Sequence, residues 1–368
     1  MKVLITGADG FIGKTLRVRL EEDPGFEVST FVRGGSIALL HERVRASDAV
    51  VHLAGENRPV DPTQFMAVNG GLTEELCSAI KAAGRPIPLI YASSIQVEQS
   101  NLYGASKRAG EEAAIALSAM PGQACAIFRL PNVFGKWCRP NYNSAVATFC
   151  HNIARGLPIQ INEHGAPLTL AYVDDVVDAM IRAIQLPQSG ISWPDIDPTH
   201  ETTVGAVADL IRSFRDSRDT LITEQVGTGL TRALYSTYVS YLPPEEFSYG
   251  VPVHSDARGI FVEMLKTKDS GQISFFTAHP GVTRGGHYHH SKTEKFLVLR
   301  GKARFGFRNI ITDEFHMLET SGDAPRIVET IPGWSHDITN VGDEEMLVML
   351  WANEIFDRER PDTIARSV

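Results

Sequence analysis

The sequence predicts an α/β domain built on a parallel sheet, followed by a smaller all-β domain. Three observations lead to this fold class. In the first half of the chain, short apolar runs alternate with longer helical stretches, as in a sheet covered by helices on both faces. Beyond His254 the sequence changes to short β-rich segments separated by Gly, Pro and Asp turns. Pro243 and Pro244 interrupt both patterns, so we place the domains at residues 1–243 and 246–368.

The apolar runs define the individual elements in order. The predicted strands of the first domain are Val3–Ile5, Val28–Val32, Ala49–Leu53, Leu89–Ala92 and Ala126–Leu130. Helical periodicity fills the gaps, for example over Thr73–Ala83 and Gly110–Ala119. The predicted strands of the second domain include Ile273–Thr277, Phe296–Leu299, Ala303–Phe307 and Met346–Trp351.

Composition and charge exclude several classes of protein. Hydrophobic residues make up 43% of the 368 residues and charged residues 21%, which is typical of a globular chain. The formal net charge of -9 argues against binding to nucleic acid or to anionic membranes. None of the four cysteines lies in a C-x-x-C pair, and no apolar stretch approaches the ~18 residues of a membrane span. We therefore expect a cytoplasmic protein.

A glycine-rich turn follows the first predicted strand. Gly7, Gly10 and Gly13 form a G-x-x-G-x-x-G motif that leads through Phe11 and Ile12 into a helix and a second strand. The glycines permit a tight turn and the close approach of a pyrophosphate, which then lies at the helix N-terminus. The motif predicts a Rossmann-type dinucleotide site.

The residue that ends the second strand indicates which dinucleotide binds. An acidic residue usually stands there and accepts a hydrogen bond from the adenosine ribose, but this sequence has Arg33. A guanidinium suits a 2′-phosphate instead. We therefore expect NADPH rather than NADH as the cofactor.

A tyrosine and a lysine four residues apart, Tyr103 and Lys107, lie on one face of a predicted helix. A nearby ammonium lowers the pKa of a phenol from about 10. Tyr103 could then donate a proton to a carbonyl oxygen while hydride arrives. Ser93 and Ser94, directly after a predicted strand, complete a pattern that indicates reduction of a ketone.

These motifs resemble the extended short-chain dehydrogenase/reductase family, in its nucleotide-sugar branch, over residues 1–240. The resemblance implies a catalytic set of Ser94, Tyr103 and Lys107, with Asn69 as a fourth member, and cofactor contacts from the glycine turn, Leu53 and Ala54. Counting within the motif favours Ser94 over Ser93. Further motifs that support the resemblance are Val51-His52-Leu53-Ala54-Gly55, Val68-Asn69, Arg129-Leu130-Pro131-Asn132-Val133-Phe134-Gly135 and Tyr172-Val173-Asp174-Asp175-Val176.

The resemblance also implies how the substrate is held. Asn132, Lys136 and Arg139 stand where the family often binds the nucleotide diphosphate; ordinary loop charges are the alternative. The sequence departs from the family in its short interval between the serine and the tyrosine, and in the little room left for a third strand between residues 33 and 48. It also lacks the Asp-Glu pair of the 4,6-dehydratases, which leaves reduction or redox epimerisation.

Histidines are concentrated in the last third of the chain. From Gly281 to Gly301 the sequence reads G-x5-H-x-H-x4-E-x6-G, and a second motif, G-x2-H-x3-N, contains His336. In a strand, His287 and His289 point to the same face. Two imidazoles, the carboxylate of Glu294 and His336 can therefore converge on one cation.

The paired motifs resemble the cupin family, which implies a double-stranded β-helix with metal ligands at His287, His289, Glu294 and His336. Such a site accepts Zn, Mn, Fe or Ni, with zinc the expected ion; histidines packed in a metal-free barrel are the alternative. His290 points to the other face, where we expect a structural role. Cupin barrels often pair through edge strands, which implies a homodimer through this domain.

Two further motifs indicate which reaction the barrel catalyses. Asp256-Ala257-Arg258-Gly259-Ile260-Phe261 and Gly281-Val282-Thr283-Arg284-Gly285-Gly286-His287 resemble the deoxysugar 3,5-epimerase branch of the cupins. These enzymes remove a proton next to a keto group and return it on the opposite face. Typical members use no metal, whereas this sequence retains the full ligand set, so a cation could stabilise the enolate as a Lewis acid.

Together, the two domains resemble the bifunctional nucleotide-sugar enzymes of capsular polysaccharide synthesis. The resemblance implies a UDP-amino-sugar substrate, a UDP-4-keto-6-deoxy-N-acetylhexosamine whose C3 is epimerised by the barrel. The first domain would then reduce C4 with NADPH to an L-talose-type product, a precursor of UDP-N-acetyl-L-fucosamine. Two alternatives remain: an NAD-dependent redox sugar epimerase with a non-catalytic, dimerising barrel, and a cofactor-sensing protein with a sugar-binding barrel.

Overall fold

The structure is a computed structural model that describes residues 1–256, 259–262, 264–267, 271–354 and 359–368. These residues form two compact units. The first unit comprises Met1–Ser144 and Leu168–Glu201, and the second comprises Ala145–Pro167 and Thr202–Val368. No helix among the described residues is long and apolar enough to cross a membrane.

Eight helices and twenty-three strands are assigned in the described residues. The helices are α1 (Phe11–Glu21), α2 (Ile37–Arg45), α3 (Leu72–Ala82), α4 (Leu102–Ser118), α5 (Ala145–Ala154), α6 (Val173–Gln185), α7 (Val204–Thr220) and α8 (Gly229–Ser240). Short π or 3-10 turns are Phe65–Gly71, Ile95–Glu98 and Pro244–Glu246.

The strands are shorter and more numerous in the second half of the chain. The first ten are β1 (Lys2–Thr6), β2 (Glu27–Phe31), β3 (Ala49–His52), β4 (Leu89–Ser94), β5 (Ala124–Leu130), β6 (Asn132–Phe134), β7 (Pro167–Tyr172), β8 (Gly190–Ser192), β9 (His200–Thr203) and β10 (Ile222–Thr223). The remainder are β11 (Ser248–Gly250), β12 (Val253–Asp256), β13 (Gly259–Val262), β14 (Lys266–Thr267), β15 (Gln272–Ala278), β16 (Thr283–Tyr288), β17 (Glu294–Arg300), β18 (Lys302–Asn309), β19 (Phe315–Ser321), β20 (Arg326–Glu329), β21 (Trp334–Asn340), β22 (Met346–Ala352) and β23 (Ile364–Ala365).

The first unit is built on a six-stranded parallel sheet in the order β2-β1-β3-β4-β5-β8. Its central strands are buried on both faces, which explains their continuous apolar runs. The nine-residue α2 is the only regular element between β2 and β3, and β3 pairs directly with β1. The prediction that this segment leaves little room for the third strand usual in the family is therefore confirmed. Ligands of such sheets bind at the carboxyl ends of the strands.

The second unit contains two five-stranded antiparallel sheets, in the orders β11-β20-β17-β22-β15 and β19-β18-β21-β16-β23. Phe296, Phe305 and Phe307 pack in an aromatic core. The all-β prediction for the chain beyond His254 is confirmed, and the two sheets correspond to the barrel that the histidine motifs imply.

The compact units do not divide at residue 243 as the sequence predicts, because α7 and α8 belong with the barrel. Arg218 of α7 forms a buried ion pair with Glu329 of β20. Lys295 of β17 contributes a second cation, with its Nζ 2.5 Å from Glu329 Oε1, and the Tyr235 hydroxyl of α8 lies 3.3 Å from the same oxygen. A buried carboxylate between two cations is costly to separate, so these helices stay with the second unit.

Candidate active site and candidate metal centre

The glycine turn between β1 and α1 is closed so tightly that side chains are excluded. Gly7 has φ +70°, and a Cβ there would lie 2.7 Å from the Ala54 nitrogen. A Cβ on Gly13 would lie 2.3 Å from the Gly7 oxygen. Gly10 is the N-cap of α1 and contributes no side-chain cap, so the first amides of the helix are available to a ligand. The geometry is that of a pyrophosphate site.

Arg33 lies two residues beyond the end of β2, the strand that pairs with β1. Its guanidinium forms an ion pair with Glu56, a residue that the sequence analysis did not single out. The side chain of Arg33 is 85% exposed, whereas that of Glu56 is 11% exposed. Arg33 is thus open to solvent, and any phosphate bound there would compete with the Glu56 carboxylate.

The predicted serine, tyrosine and lysine meet at the carboxyl end of β4. Ser94 is the last residue of β4, and its hydroxyl, which accepts from the Gln96 nitrogen at 3.2 Å, is close enough to Tyr103 in the first turn of α4 to lower the pKa of that phenol. Lys107, one turn further along α4, donates from Nζ to the Ala92 oxygen at 2.9 Å. The short interval between serine and tyrosine is taken up by one 3-10 turn and the Asn101 cap, whose Oδ1 accepts from the Gly104 nitrogen at 2.7 Å.

Burial controls the protonation of this cluster. It raises the pKa of Tyr103, opposed by the hydrogen bond from Ser94. It lowers the pKa of Lys107 to about 8, opposed by the charge of Glu111. The expectation that Lys107 lowers the tyrosine pKa is therefore wrong for this structure, because desolvation of the phenol dominates. A neutral Tyr103 retains the proton that an acid must donate.

Ser93 and Ser94 have different partners. The Ser93 hydroxyl donates to Glu111 Oε1 at 2.6 Å, and Glu111 also accepts two hydrogen bonds from Arg129, at 3.0 and 2.8 Å. Ser93 is therefore committed to a buried network, which favours Ser94 as the partner of Tyr103. Glu111 was missed from the sequence, although its position four residues after Lys107 places it on the same face of α4.

Asn69 is buried in the π-helical segment and supports the loop after β3. Its Oδ1 accepts from the Glu56 nitrogen at 2.8 Å, while Nδ2 donates to the Glu56 oxygen and the Ser106 hydroxyl, both at 3.0 Å. A Cβ on Gly55 would lie 3.0 Å from Asn69 Oδ1 and 3.5 Å from Lys107 Nζ. Asn69 and Lys107 therefore line the same side of Gly55.

The three residues predicted to hold a diphosphate are placed differently from one another. Arg139 is exposed, with its guanidinium 5.1 Å from the centre of the Tyr142 ring. Asn132 is exposed and donates to the Thr169 oxygen at 3.2 Å. Lys136 is 1% exposed, and its ammonium lies 2.8 and 2.9 Å from the carboxylate oxygens of Asp174. Its placement speaks against direct contact between Lys136 and a diphosphate.

The second unit gathers all four predicted metal ligands in the barrel. His287 lies in β16 opposite His336 in β21, and His289 and Glu294 flank the loop between β16 and β17. One ligand atom from each residue lies within 4.8 Å of the others. A bulge between Gly285 and His287 brings the strand into register, and a Cβ on Gly285 (φ +100°) would lie 2.9 Å from the His336 oxygen.

The cluster has the donor chemistry of a divalent metal site. His336 is buried, and neither of its ring nitrogens has a hydrogen-bond partner in the described part of the chain. Glu294 Oε2 lies 3.2 Å from His289 Nε2 and 3.6 Å from His336 Nε2. Burial and the other imidazoles lower the pKa of His287 to about 4, and the pKa of Glu294 is well below its usual range. Imidazole nitrogens and a carboxylate oxygen are the donors that fit a divalent cation.

The remaining motif residues have mixed outcomes. His290 is buried, with its ring 5.5 Å from that of Tyr288 and outside the four-ligand cluster. In the epimerase-like motif from Asp256 to Phe261, Ala257 and Arg258 lie outside the described residues. Gly281 has φ +75°, which only glycine adopts readily and which explains the glycine at the start of the metal motif.

Comparison with known proteins finds one family for each of two parts of the chain. Residues 3–196 match the NAD dependent epimerase/dehydratase family, and residues 254–364 match the polysaccharide biosynthesis C-terminal domain. The chain is 59% identical over 368 residues to the UDP-2-acetamido-2,6-beta-L-arabino-hexul-4-ose reductase of Pseudomonas aeruginosa, covering 100% of this chain and 99% of that protein.

Solved structures match either the whole chain or a part of it. The capsular polysaccharide assembling protein CapF from Staphylococcus aureus superposes with a TM-score of 0.68 at 38% identity, covering 100% of both chains. The Thermus thermophilus UDP-glucose 4-epimerase in complex with NAD shares the fold over 58% of this chain and 83% of its own, with a TM-score of 0.50 and 23% identity. The chain thus belongs to the NAD dependent epimerase/dehydratase family and, within it, to the family of the UDP-2-acetamido-2,6-beta-L-arabino-hexul-4-ose reductase.

Proposed function

We propose that the chain is a bifunctional enzyme of capsule sugar synthesis, which epimerises C3 of a UDP-4-keto-6-deoxy-N-acetylhexosamine and then reduces C4. The observation that carries the proposal is the presence on one chain of a Ser-Tyr-Lys cluster beside a dinucleotide turn and a four-ligand cluster in a barrel. The named reductase relative supports an oxidoreductase that acts on a UDP-sugar.

The chemistry of the substrate dictates the order of the two steps. A proton on C3 is acidic only while C4 is a ketone, because the resulting negative charge is delocalised onto the carbonyl oxygen. Epimerisation must therefore precede reduction. The product of the first step is the substrate of the second, and the final product is a UDP-6-deoxy sugar of the L-talose type, a precursor of UDP-N-acetyl-L-fucosamine.

In the reduction, Tyr103 donates its proton to the C4 oxygen and Ser94 hydrogen-bonds the same oxygen. Bound NADPH supplies the hydride. Lys107 holds the nicotinamide ribose and places positive charge beside the cluster, while Asn69 fixes the loop that Lys107 faces. Arg33 contacts the 2′-phosphate in exchange for Glu56, which is the basis for proposing NADPH over NADH.

The remaining contacts complete the proposed binding surface of the first unit. Gly7, Gly10, Phe11, Ile12 and Gly13 surround the pyrophosphate, and Leu53 and Ala54 line the cofactor at the end of β3. Asn132 and Arg139 contact the diphosphate of the sugar nucleotide. Lys136 acts indirectly, since its buried ion pair with Asp174 anchors the loop that carries Arg139.

In the epimerisation, His287, His289, Glu294 and His336 hold a divalent cation, with zinc as the proposed ion. The cation, when bound, acts as a Lewis acid that stabilises negative charge on the C4 oxygen. His289, Glu294 and His336 are buried, and the low dielectric around buried groups strengthens that electrostatic effect.

Two further properties complete the proposal. The edge strand β15 exposes Ile273 and Phe275, at 62% and 73%, and this apolar edge supports a homodimer formed through the barrel. None of the four cysteines forms a disulfide, which supports a reducing compartment such as the cytoplasm.

The proposal is tested by incubating the protein with a UDP-4-keto-6-deoxy-N-acetylhexosamine, with NADPH, with NADH and with neither, while products are followed by NMR. We expect a product inverted at C3 and reduced at C4, and faster reduction with NADPH. Reduction with C3 unchanged would overturn the epimerase half. Product formation without net cofactor consumption would favour the redox epimerase alternative instead.

A further inference from the structure

The carboxyl-terminal segment, residues 362–368, lies against the metal cluster, the group of four proposed ligands His287, His289, Glu294 and His336. Its strand β23 pairs with β16, opposing Ala365 to the ligand His287 and Ile364 to Tyr288. The Arg366 nitrogen donates to the Gly286 oxygen at 2.8 Å. Although the segment is remote in sequence, it is therefore part of the strand pairing that presents a metal ligand.

Asp362 begins this segment and binds the loop that joins two ligands. Its Oδ1 accepts from the His290 nitrogen at 2.8 Å, and its Oδ2 accepts from the Ser291 and Lys292 nitrogens, both at 2.7 Å. One carboxylate thus binds three successive backbone amides. These are the first three residues of the four that separate His289 from Glu294.

The backbone of Asp362 contacts a ligand directly. Its carbonyl oxygen is hydrogen-bonded to Nδ1 of His289. A carbonyl can only accept, so Nδ1 carries the proton and Nε2 keeps its lone pair. Nε2 is the atom that faces Glu294. The contact therefore fixes the tautomer and the ring plane that metal binding requires.

We propose that Asp362 is a positioning residue of the metal centre: its carboxylate fixes the loop from His290 to Lys292, and its carbonyl orients the His289 ring. The inference rests on the metal centre of the proposed function. It adds a residue that lies 73 positions from His289 and belongs to none of the motifs. Thr363 reinforces the same junction, because its hydroxyl accepts from Lys292 Nζ at 2.8 Å.

The test is a titration of the full-length, metal-stripped protein with Co²⁺, followed by visible absorption, which reports ligand geometry. We expect one Co²⁺ per chain in the wild type and about 10- to 100-fold weaker binding in Asp362→Asn, with an altered visible band. Asp362→Glu keeps the carboxylate and should recover part of the affinity. Asp343→Asn, the same change at an exposed site of the barrel, should leave the affinity unchanged.

The outcomes separate this inference from the proposed function. Asp362→Asn binding Co²⁺ within twofold of the wild type, with the same visible band, would overturn the role of Asp362 and leave the metal centre in place. A wild type that binds no Co²⁺, or binds it as well as His336→Ala does, would overturn both. Should Asp362→Asn fail to fold, Asp362→Glu carries the test: unchanged affinity and spectrum overturn the role, and a loss of about threefold or more supports it.

Discussion

The proposed reductase cluster, formed by Ser94, Tyr103 and Lys107, differs from the metal cluster in how the chain assembles it. Ser94, Tyr103 and Lys107 come from one strand end and the first two turns of the next helix. The proposed metal ligands come from three strands and a loop, and His289 contacts the remote Asp362. A site made from consecutive elements is specified by its motif. A site made from distant strands also needs contacts that no motif contains.

The two clusters also differ in electrostatics. Burial moves Tyr103 and Lys107 towards their neutral forms, which raises the pKa of the phenol and lowers that of the ammonium to about 8. In the metal cluster the neighbouring imidazoles overcome burial at Glu294, whose pKa lies well below its usual range. The first site is therefore suited to transferring a proton, and the second to holding a cation.

The largest effect expected to separate the two sites is that of Tyr103→Phe. Loss of the proton donor should slow C4 reduction about 10²- to 10⁴-fold. The metal cluster is untouched, so the affinity for Co²⁺ should not change. Single-turnover oxidation of NADPH measures the rate of C4 reduction. A near-wild-type rate would show that Tyr103 is not the acid.

A matched pair of serines tests the reductase cluster more finely. Ser94→Ala removes a hydrogen bond to the reacting oxygen and should lower kcat for reduction about 100-fold. Ser93→Ala instead breaks the contact with Glu111 and should lower the free energy of unfolding by about 1–3 kcal/mol, with kcat changed less. Equal kinetic effects of the two substitutions, measured on folded protein, would refute the assignment of Ser94.

Sequence reasoning located both clusters but not their supports. The spacing of Tyr103 and Lys107 and the histidine motifs identified residues that the structure brings together. The ion pair between Arg33 and Glu56 and the contacts of Asp362 could not be predicted, because they join residues 23 positions apart in the first case and 70 to 73 positions apart in the second. The sequence also placed the domain boundary without the buried charges that join α7 to the barrel.

The pairing of Arg33 with Glu56 gives a test of cofactor choice. Arg33→Met should weaken the binding of NADPH about tenfold, as expected for the loss of an exposed charge-assisted contact. The binding of NADH should be nearly unchanged. Glu56→Gln should strengthen NADPH by releasing Arg33, since the contacts of residue 56 with Asn69 are made by its backbone. Dissociation constants from fluorescence titration decide this; equal losses for both cofactors would contradict the 2′-phosphate role.

The smallest expected effect is a change in pH dependence. The protonated ammonium of Lys107 is the active form, and its pKa is lowered to about 8 by burial. The reduction rate should therefore fall as pH rises through about 8. Lys107→Arg keeps its charge at alkaline pH, so its lower rate should lack this decline. A decline at the same pH in both proteins would assign it to another group.

The central claim is that two chemically separate sites act in sequence on one ketone. Its most direct test is the exchange of C3 hydrogen for deuterium in heavy water without NADPH, comparing wild type, Tyr103→Phe and His336→Ala. We predict similar exchange in wild type and Tyr103→Phe, and exchange at least about 100-fold slower in His336→Ala. Exchange that is absent from the wild type, lost in Tyr103→Phe or retained in His336→Ala would contradict the account.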